Sequence, residues 1–151
     1  MRRHALILSA AISLVVAASS ASAHHSHPFF YDQCKIVRIE GRVESVVFKD
    51  PHSLLVLRAD DGMAYTVDWA GLRGLTRDGV LDSAKEALVF GARVAVTGNP
   101  LRELAEIQTH FSDIKSVNPN TLDPRSIRRV GNSFTWSLSP IPPFPPNCDR
   151  K

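Results

Sequence analysis

Long apolar runs are scarce in this chain of 151 residues, and the one that stands out lies at its start. Ala5 to Ala18 is about 14 residues long, against the roughly 20 that a bilayer-spanning helix needs. Cysteine is nearly absent, at two residues. That excludes a disulfide-dense scaffold and a thiolate zinc module, and no Cys-x-x-Cys spacing suggests redox chemistry. Charge of one sign is lacking too. The formal net charge of +3 includes Arg2 and Arg3, and residues 24–118 carry 11 Lys and Arg against 13 Asp and Glu, so there is no electrostatic footprint for nucleic acid. Missing as well are Gly-x-Ser-x-Gly, His-Glu-x-x-His and a P-loop, so the sequence offers no case for a stand-alone enzyme.

What is present begins with an export signal. Met1-Arg2-Arg3-His4 is a positive n-region, Ala5 to Ala18 an apolar h-region, and Ala21-Ser22-Ala23 a small-residue cleavage site. The expectation is a signal peptide over 1–23, a periplasmic or secreted mature protein starting at His24, and no transmembrane segment in it. Residues 24–34 then form a histidine-containing arm, 35–118 one domain, and 119–151 a tail with five prolines between Ser137 and Cys148. In an oxidising compartment the two cysteines, Cys34 and Cys148, are expected to pair.

From Lys35 the pattern has period two, with Val37, Ile39, Gly41, Val43, Ser45 and Val47 on one face and Arg38, Glu40, Arg42 and Glu44 on the other. Pro51 breaks that strand. "SLLVLRADDGMAYTVDW" reads as two strands joined at Asp60-Asp61-Gly62. Weak helical turns follow at Gly71–Asp78 and Ser83–Leu88, then a fourth strand in "GARVAVTGNP" and a fifth in "AEIQTHFSDIKSV". This order predicts an all-β, OB-like, five-stranded, partly open barrel with a short connecting helix. A small β-sandwich is the alternative.

The junction Ala23-His24-His25-Ser26, the triplet Asp50-Pro51-His52 after the first strand, Trp69 and the stretch Gly91–Gly98 resemble a group of small exported bacterial proteins catalogued as a domain of unknown function. Members start Ala-His-His-Ser and carry Asn-Pro-His; here Asp50 replaces the Asn and His27 is additional. The resemblance spans roughly 21–118 and implies a periplasmic β-rich domain, not a reaction.

Cleavage after Ala23 would place a free amine and an imidazole on His24, and those two nitrogens chelate one metal. A third nitrogen from His52, with His110 in reserve, would complete a T-shaped histidine brace that suits Cu(II). The α-amine, with an ordinary pKa near 7.7 to 8.0, releases its proton to a metal near neutral pH. A competing mode uses the amine, the deprotonated amide and the His25 imidazole. Zinc would instead take His25, His27, His52 and Asp32 or Asp50, but without a regular zinc spacing. The plainer alternatives are a solvated arm for His24, His25 and His27, a turn residue for His52, and a strand-surface residue for His110. Tyr65 and Trp69 share a strand face; they are core or, on an open barrel face, a stacking platform for a periplasmic glycan, peptide or protein. The expected function is a small periplasmic binding protein, for copper or for such a partner.

Overall fold

The computed structural model describes residues 27–138 and Cys148; the signal segment, His24 and His25 lie outside them. A short helix α1 (His27–Phe30) leads into β1 (Val37–Val47), β2 (His52–Ala59) and β3 (Ala64–Ala70). Two helical segments follow, α2 (Leu72–Arg77) and α3 (Leu81–Ala87), then β4 (Arg93–Pro100), α4 (Leu104–Gln108), β5 (Thr121–Arg129) and β6 (Thr135–Ser137). The strands form one sheet in the order β3-β2-β1-β4-β5-β6, and a parallel pairing of β3 with β5 closes its first five members into a barrel. A meander of three strands, a first strand shared between β2 and β4, and a parallel β3–β5 seam define the OB-like topology. The sandwich alternative fails because a single sheet closes on itself.

β1 must serve two partners, pairing β4 over Val37–Arg42 and β2 over Gly41–Val47. It turns at Gly41, where a Cβ would lie 2.3 Å from the Arg58 carbonyl oxygen, and at a bulge between Val43 and Ser45. The period-two reading holds up to the bulge, beyond which the face switches so that Val46 packs on the core and Val47 is exposed; Val43, Leu55, Leu57, Val67, Val94, Val96 and Ile127 are buried, each worth about 1.5 to 3 kcal/mol of apolar burial. Leu75, Ala84, Ala87 and Leu88 join the same cluster, so α2 and α3 plug one mouth of the barrel.

The fifth strand lies elsewhere than the sequence suggested. Residues 104–108 are helical and Ile107 is buried from that helix, while the closing strand is Thr121–Arg129, beyond residue 118 and inside the segment assigned to the tail. Pro124 and four charged residues disguise it. The ladder admits the proline through a register shift at Thr97/Gly98, and Gly98 makes room: a Cβ there would sit 2.5 Å from the Asp123 carbonyl oxygen. β6 adds Trp136, whose ring meets Trp69 edge-on at 5.4 Å. Cys34 and Cys148 form the expected disulfide, across 114 residues of chain.

Candidate ligand site at the barrel seam

The seam itself builds the site. Val67 is opposite Leu122 in the parallel pairing, and both point into the core. One residue further, alternation turns Asp68 and Asp123 outward on neighbouring strands. His52 opens β2 opposite Ala70, and because Ser53 and Leu55 face inward, it too faces out.

The arm covers this patch. The Asp32 N–H donates to the Pro100 carbonyl at 2.9 Å, the Arg102 N–H to Phe30 at 2.8 Å, and Arg102 Nε to Pro28 at 3.2 Å. Tyr31, 5% exposed, bridges to Leu101. This docking brings His27 over the seam, where its ring stacks on that of His52 with centroids 6.0 Å apart and planes 18° from parallel. Each imidazole meets its own carboxylate, His27 Nδ1 at 3.4 Å from Asp123 Oδ2 and His52 Nδ1 at 2.7 Å from Asp68 Oδ1. The second approach is close but poorly directed, since Asp68 Oδ1 accepts no well-aligned hydrogen bond. The Tyr31 hydroxyl donates to the other oxygen, Asp68 Oδ2, at 2.8 Å.

Electrostatics follow from these neighbours. The hydrogen bond to Asp123 raises the His27 pKa above its ordinary value; burial opposes this, Asp123 and Asp68 charges add to it, and the Arg125 charge works against it. Burial, with Asp68 alongside, pushes the Tyr31 phenol well up, so it stays a neutral donor. A carboxylate oxygen 2.7 Å from His52 Nδ1 favours the tautomer with its proton on that nitrogen. Nε2 of a neutral His52 ring is then left as a lone pair, the arrangement that carboxylates impose on metal-ligating histidines.

The Asp-Pro-His triplet acquires a physical reading. Asp50 Oδ1 accepts the Arg73 N–H at 3.1 Å, at the start of α2, and its other oxygen is 3.5 Å from Arg73 Nε. An Asn side-chain oxygen accepts the same bond. The Asp50–Pro51 peptide is cis, and Gly71 leaves room for the triplet, its notional Cβ falling 2.3 Å from the Pro51 carbonyl oxygen. The triplet thus ends by delivering His52 to the rim.

His27, His52, Asp68, Asp123, Arg125 and Trp69 line one pocket of about 350 Å³, within the range of small-molecule sites. His110 is not among them. It follows α4 instead of lying in a fifth strand, and its ring packs on Phe29 at 4.5 Å beside a different hollow. Tyr65 is half-buried, its hydroxyl 3.3 Å from Asp61. Trp69 is 2% exposed between Phe48 and Trp136, so its ring belongs to the core and not to an open stacking face. Among the described residues no three His, Cys, Asp or Glu side chains converge as a ready metal site. Sequence reasoning missed Tyr31, Asp68, Asp123 and Arg125. Asp68 was within reach, as the outward residue between Val67 and Trp69; Asp123 and Arg125 were hidden with their strand.

A family model described as a family of unknown function, DUF6152, matches residues 11–110. A search of curated proteins finds no match. Among solved structures, a chain of the S. pombe Stn1-Ten1 complex is similar at 14% identity and a TM-score of 0.43, over 64% of this chain and 59% of that one. The match thus spans about three fifths of that solved chain's length.

Proposed function

The chain belongs to the DUF6152 family, and we propose that it is an exported binding module of OB-like fold whose ligand site is the seam pocket and whose ligand is copper. One observation carries the reading: His27, the fourth residue of a mature chain that starts at His24, stacks on His52 at 6.0 Å, with each Nδ1 turned to a carboxylate. Two imidazoles held by carboxylates offer Nε2 donors, and Cu(II) favours nitrogen sites of tetragonal geometry. Three residues of extended chain reach about 10 Å, so the amine and imidazole of His24, or the His25 imidazole, can join them. The disulfide and the absence, among the described residues, of a helix long and apolar enough to cross a membrane are compatible with export.

Calorimetric Cu(II) titration of protein starting at His24 tests this, beside His52→Ala, His27→Ala and a form with one residue added before His24. The expected result is one-to-one binding, weakened about tenfold or more in His52→Ala and by the added residue. Loss with the added residue alone would assign the metal to the amine and His25. Equal weak binding by all four proteins would overturn the copper reading and leave a non-metal module for a periplasmic glycan, peptide or protein partner.

A further inference from the structure

We infer that the turn carrying Val89 and Phe90 is a membrane-contacting tip, which seats the Phe90 ring in an anionic lipid surface while Arg42 and Arg129 meet the head groups. The inference goes beyond the seam pocket and holds whether or not that pocket takes copper.

Phe90 is 84% exposed, more than any other large apolar side chain among the described residues, and Val89 beside it is exposed as well. The chain dips into the core on either side, at Leu88 and Ala92, and pushes out only the residues between. This exposure is built into the fold. The Gly91 N–H donates to the Val43 carbonyl at 2.8 Å, the Val43 N–H to Ala92 at 2.9 Å, and the Ala92 N–H back to Val89 at 3.0 Å. Gly91 supplies the positive φ, 78°, that the turn needs. A third apolar residue, Val130, is exposed where its N–H donates to the Arg93 carbonyl at 2.8 Å. A ring pinned outward among exposed valines marks a contact site.

Charge names the partner. Arg42 Nη1 donates to the Gly91 carbonyl at 3.1 Å and Arg129 Nη1 to the Ala87 carbonyl at 3.0 Å, so both guanidinium groups stand around the turn. Both bonds end on neutral oxygens, and neither arginine has a carboxylate partner among the described residues. Their neighbours differ. Arg58 is paired with Glu44, and Arg93 with Asp60 and Glu40. Glu86, in the last turn of α3, has Lys85 next to it as an offset. Unspent positive charge around an apolar tip matches anionic head groups over acyl chains. A stable protein partner needs about 800 Å² of matched face on each side, which a single protruding turn does not offer. The tip stands beside the end of β5 and the seam pocket at its start, so a docked protein keeps that pocket clear.

The test floats the protein from His24 to Lys151 with vesicles of phosphatidylcholine alone, and of three parts phosphatidylcholine to one part phosphatidylglycerol. Binding to the mixed vesicles only, weakened by raised salt, is the expected result. Phe90→Ser should lower it about tenfold and Arg42→Gln about fivefold. A nitroxide lipid in the mixed vesicles should broaden the Val89, Phe90 and Gly91 amide signals ahead of all others, a measurement that needs only native protein. Absence of binding to the mixed vesicles, binding that Phe90→Ser leaves unchanged, or broadening centred elsewhere would each overturn the inference. Self-association lost in Phe90→Ser, without vesicle binding, would overturn it too and assign the tip to a protein contact. Copper titration reads the other end of β5, so the two readings fail separately.

Discussion

Two histidine–aspartate pairs meet at the seam, and they are built differently. His52 and Asp68 both stand on barrel strands, 2.7 Å apart, with the buried Tyr31 hydroxyl holding the far oxygen of Asp68. His27 and Asp123 join an arm to a strand across 3.4 Å, and nothing in the barrel ladder fixes His27. The first pair is set by the fold, whereas the second exists only while the arm is docked. Whatever holds the arm therefore controls the second pair directly and reaches the first through Tyr31, whose hydroxyl donates to Asp68.

The disulfide is the covalent tie at the end of the arm, and breaking it gives the largest expected effect. Cys34 closes a loop of 114 residues with Cys148, for which chain entropy gives about 4 to 5 kcal/mol. The double variant Cys34→Ser, Cys148→Ser should lose stability of that order in urea denaturation. Under native conditions NMR should show the His27 signals move much further than those of His52, which stays on its strand opposite Ala70 and loses only the arm beside it. If both histidine signals move together, the two halves are not separable.

The unequal legibility of the two pairs has the same origin. The barrel half could be read because alternation over Val37–Val47, the Asp-Gly hairpin and the break at Pro51 are local signals, and they placed His52 at the rim correctly. The closing strand could not, since Leu122 and Ile127 are the only large apolar residues it sends inward and Pro124 argues against a strand until its register shift with β4 is known. Ile107 then drew the fifth strand to residues 105–117, although spacing of three from Leu104 fits the helix equally well. With β5 misplaced, Asp123 and Arg125 fell into a supposed tail. The burial of Tyr31 under a 37-residue separation from Asp68 is a tertiary fact with no local signature.

Tyr31 is where the two halves touch, so Tyr31→Phe sharpens the comparison at intermediate size. The ring still fills its buried place, but Asp68 Oδ2 loses its donor. A part-buried carboxylate deprived of one hydrogen bond costs about 1 to 3 kcal/mol. Urea denaturation should register that loss, and the His52 ring signals should shift because Asp68 is then free to turn. A stability change under about 0.3 kcal/mol would mean that the hydroxyl does not hold the carboxylate.

The smallest effect separates the pairs by pH. The His27 pKa is raised, chiefly by its hydrogen bond to Asp123. A group whose folded pKa exceeds its unfolded one stabilises the fold fully below the unfolded value, here about 6.5, and loses that contribution as pH rises through the folded value. Arm docking should therefore be tighter in mildly acidic solution and relax toward neutral pH and above. His27 is 42% exposed at its side chain, so solvent screening limits the effect to a few tenths of a kcal/mol. The change is local all the same, and an NMR pH titration resolves it where denaturation does not. Asp123→Asn should bring the His27 titration down toward its ordinary value while the His52 signals follow their wild-type curve, because Asp68 and Tyr31 are untouched. An unchanged His27 titration in that variant would show that Asp123 does not hold the arm, and the distinction between a fixed pair and a docked pair would fall with it.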